Sequence, residues 1–403
     1  MDEVKKIGGR IGQLDLLNCL LFLVSPLLAL PTIFAGIYKK KQISLYLLII
    51  FASLITYQLV PADDYDLYQF YRFYKDVKNL DFDAFFKILL SKPDFMVYLA
   101  IYLFAKAGLS GQVVFSICTF FTLHLIYLVY NKFALREEIS NKYYVLGLIT
   151  VFFSFELLGL YSGIRNILAA AIVLYSFHEG LFENKKMKGL LLFVLAVFTH
   201  FSVLLFFPVY FFIIIKPLKR KTVLIFYLVS FLFLFLTKEY LYNMAIQLPL
   251  TEAIEKKIKS YLLGLDFTER GNLKSIAALI SYKIRVSWIY FANAYILITY
   301  KRNSNYRDLV VMLMGLLNIF SVAPDIHMRL TYLIELLFIY LLYYEYKYRH
   351  NKLFIILFFI FLIPSFVVNV MVYRDYFMNS LFNVNFLTLI GILMKKVELV
   401  FLW

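Results

Sequence analysis

The sequence predicts an all-α protein, a polytopic membrane helical bundle with about 11 crossings and two short re-entrant or interfacial elements. Of its 403 residues, 62% are hydrophobic and 19% aromatic, and the mean hydropathy is +0.77, which excludes a surface covered by water. Continuous apolar runs such as 143–160, 222–237 and 353–371 approach or reach the length that crosses ~30 Å of hydrocarbon. Such runs lack the period-two alternation of barrel strands. They recur along the whole chain, which predicts one integral membrane domain over 1–403.

The formal charge of +15 follows the connections between the apolar runs, so a nucleic-acid groove is not needed to explain it and no nucleic-acid partner is expected. Lys and Arg cluster at 39–41, 132–142, 185–188, 216–221, 301–307, 347–352 and 395–396. The positive-inside rule assigns these short loops to the cytoplasm. We therefore expect an outside N-terminus, a cytoplasmic C-terminus, and outer loops at 61–94 and 238–274.

Two segments are predicted not to cross the bilayer. The segment 95–107 is short for a full span, and a crossing there would put neighbouring basic clusters on opposite sides. The segment 189–215 is overlong for one helix and has basic clusters at both ends. It is predicted to form two short arms that turn near His200, at membrane depth.

The first outer loop combines carboxylates, aromatic rings and one arginine directly after a membrane helix. Its candidate site residues are Asp63, Asp64, Tyr65, Asp66, Tyr68 and Arg72. Aromatic faces bind the apolar sides of sugar rings, while carboxylates accept hydrogen bonds from sugar hydroxyls or remove a proton. A solvated acidic loop beside an interfacial aromatic belt is the alternative interpretation.

Three arginines are candidates for binding a phosphate group. Arg165 follows Gly163 at the start of a helix, where the guanidinium and the helix dipole both favour an anion. Arg329 follows a short outer loop, and Arg285 adds a cation near the same face. For Arg165 and Arg285, anchoring at the membrane interface is the alternative.

Two further ionisable residues interrupt apolar sequence. His200 coincides with the proposed helix break, and the alternative there is a buried core histidine. Glu335 follows Arg329 by six positions, and a carboxyl group at that depth is expected to pair with another charge or to line a water-filled cavity. Cys19 and Cys118 lie in apolar runs, and no cluster has metal-ligand spacing, so neither a metal nor another cofactor is expected.

Three blocks of sequence together resemble the EpsG family of bacterial exopolysaccharide membrane proteins, within the wider Wzy-like O-antigen and capsule polymerases. The blocks are Asp63 to Asp66 with Tyr68, Tyr71 and Arg72; Gly163, Ile164 and Arg165 before an Ala-rich helix; and Ala196 to Ser202 closing at Pro208. The likeness covers 43–215, while the C-terminal half is similar mainly in hydropathy and in Arg329.

The resemblance implies a metal-independent membrane glycosyltransferase that polymerises oligosaccharide repeat units on undecaprenyl diphosphate, at the periplasmic face of the bacterial cytoplasmic membrane. A chain-length regulator is a further implied partner. The general base would be Asp64, His200 or Asp63, while Arg165 and Arg329 would hold the diphosphate, with Arg285 as a further candidate. Asp66, Tyr65, Tyr68 and Arg72 would contact sugar. Asp64, Arg165, His200 and Arg329 are then expected to converge on one outer cavity.

Two alternatives use the same sequence features. One is a glycosyl or acyl transferase that adds a single group to a finished glycan. The other is a flippase or transporter for lipid-linked glycans, although transporters tend to place ionisable residues at midplane on repeated broken helices.

Overall fold

The computed structural model describes residues 12–60, 66–92, 94–247, 252–264, 276–302, 304–349, 352–374, 378, 387–395 and 397. All regular structure in these ranges is helical, which confirms the predicted fold class. Continuous apolar sequence explains this, because a helix pairs its backbone groups within its own segment.

The helices of the N-terminal half are α1 (Gln13–Val24), α2 (Leu30–Tyr38), α3 (Gln42–Gln58), α4 (Asp66–Lys78), α5 (Phe82–Leu90), α6 (Met96–Lys106), α7 (Gly111–Arg136), α8 (Asn141–Phe153), α9 (Leu157–Tyr161), α10 (Ile164–Leu181) and α11 (Lys186–Thr199). Those that follow are α12 (Phe207–Tyr210), α13 (Arg220–Ser230), α14 (Lys238–Ala245), α15 (Glu252–Leu262), α16 (Ile276–Arg285), α17 (Ser287–Ile298), α18 (Asn305–Ile319), α19 (Pro324–Arg349), α20 (Leu353–Val372) and α21 (Leu389–Met394).

Three of these helices are long and apolar enough to cross a membrane, namely α7, α19 and α20. Shorter apolar helices occur at α1, α3, α6 and Phe201–Ile215. The chain is therefore a helical membrane protein, and the number of about 11 crossings stays a prediction.

The chain divides into two compact units. The first comprises Met1–Ile149, Leu157–Leu168 and Val372–Trp403, and the second comprises Thr150–Glu156 and Ala169–Met371. In the first unit α3 packs along α7, and the Thr56 and Thr119 hydroxyls lie 2.8 Å apart at this contact. Gln112 of α7 donates a 3.0 Å hydrogen bond to the Lys395 carbonyl, which fastens the end of α21.

In the second unit α18 packs against α13 and α19, and its side chains are almost all buried. The charge pattern assigned Arg307 to a cytoplasmic loop, but this residue lies in the first turn of α18 and is only 1% exposed. Its guanidinium donates to Glu345 of α19 at 2.7 Å, to the Thr299 hydroxyl at 2.7 Å and to the Ile296 carbonyl at 2.9 Å. Arg307 therefore joins α17, α18 and α19 rather than marking a loop.

The segment around His200 is interrupted, as its sequence predicted. Helix α11 ends at Thr199, and His200 has the extended dihedrals φ −154° and ψ 118°. A 3₁₀ segment (Phe201–Phe206), α12 and a π turn (Phe211–Ile215) follow. Pro208 lies in the first turn of α12 and has no N–H for the Leu204 carbonyl, so a regular α-helix cannot run unbroken from the 3₁₀ segment into α12. That 189–215 does not cross the bilayer stays a prediction.

The two predicted outer loops contain helices of their own. Helices α4 and α5 lie within 61–94, and α14 and α15 lie within 238–274, while α6 lies within 95–107. The assignment of these segments to the outer side stays a prediction from the charge pattern.

Candidate active site

Arg329 is held by two neutral side chains in the second unit. Its Nη1 donates to His200 Nε2 at 2.8 Å and to the Tyr261 hydroxyl at 3.1 Å. The guanidinium carbon also lies 4.8 Å from the centre of the Tyr261 ring, within range of a cation–π contact. Within the described residues, no carboxylate forms an ion pair with Arg329. Its positive charge is therefore not neutralised by this cluster.

The contact with Arg329 determines the hydrogen-bonding role of His200. A guanidinium has only donors, so Nε2 of His200 must accept and the imidazole is neutral with its proton on Nδ1. The extended backbone of His200, between α11 and the 3₁₀ segment, is what turns this side chain toward α19. His200 is 4% exposed, so it orients Arg329 from a buried position.

Tyr261 is a part of this cluster that the sequence did not reveal. It lies in α15, inside the predicted outer loop 238–274. The chain contains 33 tyrosines, and neither spacing nor a neighbouring motif distinguishes this one. Only the fold identifies it.

Arg165 lies in a separate cluster, in the first unit. Its Nη1 donates to Asp94 Oδ2 at 3.1 Å and to the Tyr98 hydroxyl at 3.0 Å. The guanidinium carbon is 5.0 Å from the Phe70 ring centre and 5.3 Å from that of Tyr98. Sequence analysis did not single out Asp94 or Tyr98. Because Asp94 is buried and paired with it, Arg165 presents less net charge to an anion than Arg329 does.

Arg285 belongs to a third cluster, again in the second unit. Its Nη1 donates a hydrogen bond to Glu156 Oε1 at 2.9 Å, and the Tyr332 hydroxyl donates one to Oε2 of the same carboxylate. These side chains line a partly enclosed cavity of about 30 Å³, together with Glu335 and Asn369. Glu335 therefore lines a cavity, and that this cavity holds water stays a prediction.

The predicted sugar-binding residues are only partly described. Asp63, Asp64 and Tyr65 lie outside the described residues. Asp66 begins α4 and is exposed, Arg72 is exposed about 1.7 turns later, and Tyr68 is 8% exposed. Their roles in binding sugar or accepting a proton stay predictions.

The structure therefore joins one pair of the predicted site residues directly, His200 and Arg329, which are 129 positions apart in the chain. Arg285 lies in the same unit as this pair but in a different cluster, and Arg165 has partners of its own in the other unit. The convergence of Asp64, Arg165, His200 and Arg329 on one cavity stays a prediction. No group of three potential metal ligands occurs in the described part of the chain.

Comparison with known proteins gives one match. A model of the EpsG family matches residues 43–386. No curated protein and no solved structure matches the chain. The family match extends beyond 43–215, where the resemblance was best, and takes in Arg285, Glu335 and the whole Arg329 cluster. The chain therefore belongs to the EpsG family, whose members are Wzy-like membrane proteins of the polysaccharide polymerase type.

Proposed function

We propose that this protein polymerises oligosaccharide repeat units carried on undecaprenyl diphosphate, at the outer face of the bacterial cytoplasmic membrane. The observation that carries the proposal is the Arg329 cluster within a member of the EpsG family. An arginine that has no carboxylate partner among the described residues, and that is oriented by an imidazole and a phenol, is suited to a doubly charged phosphate group.

The chemistry requires stabilisation of a leaving group. A hydroxyl oxygen of the acceptor attacks the anomeric carbon of the donor, and the bond from that carbon to the diphosphate oxygen breaks. The diphosphate departs with the electron pair of this bond, so negative charge develops on its oxygens. A pre-oriented donor at such a position typically contributes ~10²- to 10³-fold to the rate. Arg329 has N–H groups left to donate to the diphosphate after its hydrogen bonds to His200 and Tyr261.

Arg165 is the second candidate for phosphate binding. Its guanidinium already shares charge with Asp94, so a phosphate would compete with that carboxylate. We expect its loss to weaken binding less than the loss of Arg329. From sequence, the candidates for the group that deprotonates the acceptor are Asp64, His200 and Asp63, and of these the structure describes only His200.

Complementation of a deletion strain tests the proposal. The wild-type gene should restore long surface glycan on a gel, and Arg329→Ala should leave single repeat units, because the charge on the departing diphosphate loses its partner. Arg329→Lys should restore only short chains, since an ammonium cannot reproduce the paired donors.

Arg136→Ala is the matched control, because Arg136 is half exposed near Glu137 and lies in the first unit. All variants should be present in the membrane in equal amounts, as measured by immunoblot. Long glycan from Arg329→Ala would contradict the proposal. Accumulation of the lipid-linked unit in the cytoplasmic leaflet of the deletion strain would indicate a flippase instead, and a glycan that lacks one substituent would indicate a modifying transferase.

A further inference from the structure

The cavity beside the Arg329 cluster has the size and lining of a small water site. Its volume of about 30 Å³ accommodates roughly two water molecules and is too small for a sugar ring. One side is formed by Met328, Thr331, Tyr332 and Glu335, whose spacing of three and four positions puts them on one face of α19. Met328 precedes Arg329 directly, so the cavity reaches the helical turn that carries the proposed phosphate ligand.

The hydrogen bonds around the cavity leave two acceptor groups unmatched. Both oxygens of Glu156 are used, one by Arg285 and the other by Tyr332. Glu335 is 8% exposed, and within the described chain no hydrogen bond or ion pair reaches its carboxyl group. Oδ1 of Asn369, which is 4% exposed, is also buried without a donor.

Two buried acceptors that face a polar cavity can be satisfied by a ligand with hydrogen-bond donors. Leaving such groups unpaired in an apolar interior is costly, and a water molecule that makes two to four hydrogen bonds removes the cost. The titratable groups that line the cavity with Glu335 are Glu156, Arg285 and Tyr332. Of these side chains, Glu335 is the carboxyl group with no competing partner, so it is the one that can exchange a proton with this water.

We propose that the cavity is a water-filled proton-transfer site in which Glu335 takes up the proton released by the acceptor hydroxyl. The proposal rests on the polymerase function proposed above. The O–H bond of the acceptor breaks and its electron pair forms the new bond to the anomeric carbon. The proton passes through cavity water to the Glu335 carboxylate and is later returned to bulk water. The diphosphate leaves with the electron pair of the bond that is broken.

Position and chemistry favour Glu335 over its neighbour His200 in this role. The Nε2 lone pair of His200 already accepts a hydrogen bond from Arg329, and protonation of that atom would break the contact. Glu335 lies six residues after Arg329, about 9 Å along the helix axis and about 120° around it, so a proton released beside Arg329 would reach it through water molecules. It therefore acts through water, next to the phosphate ligand and not in contact with it.

The test compares purified full-length protein carrying Glu335→Gln, Glu335→Asp or the control Glu239→Gln, an exposed carboxylate in α14. Chain growth on lipid-linked repeat unit is followed from acid to alkaline pH. We expect Glu335→Gln to lower kcat by ~10²-fold at unchanged KM and to flatten the pH profile, because the amide keeps the shape but cannot take up a proton. Glu335→Asp should retain part of the rate and the pH dependence. The proposal would be overturned if Glu335→Gln had the same kcat and the same pH profile as the wild-type protein.

A second readout separates this proposal from the polymerase function. Infrared difference spectra between acid and alkaline pH should contain a carboxyl band in the wild-type protein that Glu335→Gln lacks. This band supports proton exchange at Glu335 even if wild-type protein forms no ladder of products, which would refute the polymerase function alone. The infrared band still tests the proton-transfer site if Glu335→Gln melts at a lower temperature, because it reports protonation of Glu335 and not the rate of chain growth. Spectra in which wild type and Glu335→Gln are identical would overturn the proton-transfer site.

Discussion

At the scale of single residues, the arginines differ in whether their partners are charged or neutral. Arg302 and Arg307 both donate to the Glu345 carboxylate, and the Tyr295 hydroxyl donates to it as well. Arg165 is paired with Asp94, whereas Arg329 binds a neutral imidazole and a phenol. Arginines that are paired with buried carboxylates hold helices together. Arg329, which has no such pair among the described residues, retains its charge for a ligand.

The shared carboxylate leads to a prediction about stability. Glu345→Gln removes the negative charge between two guanidinium groups, one of which is 1% exposed, so an uncompensated buried charge remains. We expect the free energy of unfolding to fall by roughly 3–5 kcal/mol. Thermal and denaturant unfolding of the purified protein in one detergent would measure it.

Asp83→Asn is the control for that measurement, because Asp83 is exposed in α5. Its free energy of unfolding should stay within about 0.5 kcal/mol of wild type. If Glu345→Gln were as stable as this control, the view of Glu345 as the centre of the α17, α18 and α19 junction would be wrong.

Sequence alone could identify His200, Arg329 and Glu335 as unusual, since each is an ionisable group in or beside apolar sequence. It could not give their partners. Tyr261 and Tyr98 are ordinary members of an aromatic-rich chain, and Asp94 lies at the edge of a loop that contains several other acids. Contacts between residues 67 to 129 positions apart depend on how helices pack, and no local pattern encodes that.

At the scale of elements, charge and apolar length predicted that the helix is interrupted near His200, but they did not predict which turns follow the interruption. Basic residues at both ends of 189–215 required an interruption, and an interruption is present. The 3₁₀ and π turns after it were not anticipated, because they arise from Pro208 and from packing. Likewise, the outer loops were predicted from their charge, while helices α4, α5, α14 and α15 within them were not predicted.

Helix α6 offers a test of the membrane topology. If 95–107 does not cross the bilayer, residues at its two ends lie on the same, outer side. Single cysteines at Ser91 and Ala107, introduced after Cys19 and Cys118 are replaced, should then both react with a membrane-impermeant maleimide in intact cells. Both positions are exposed, so access is not limited by packing.

A cysteine at Lys186, which is exposed at the start of α11 and predicted to be cytoplasmic, should react only after the cells are permeabilised. Reaction at Ala107 only after permeabilisation would show that α6 spans the bilayer. The predicted number and orientation of crossings would then have to change.

At the scale of the whole molecule, hydropathy predicted the fold class because nothing but helices satisfies backbone groups throughout such apolar sequence. It did not give the number of crossings, since several apolar helices here are shorter than a full span and broken. The family match over 43–386 extends the relationship to the C-terminal half, where sequence motifs were few. The positions of Asp63 and Asp64 lie outside the described residues, so their roles depend on the family relationship alone.

The most direct test of the central claim is a reaction of purified protein in lipid vesicles with its lipid-linked repeat unit. Products are separated by size, and released undecaprenyl diphosphate is measured in the same sample. We predict a ladder of glycans in which each added unit is accompanied by one released undecaprenyl diphosphate, and a ladder reduced by ~10²-fold or more for Arg329→Ala. Addition of a single group, or movement of the substrate across the vesicle membrane without release of the diphosphate, would contradict the claim.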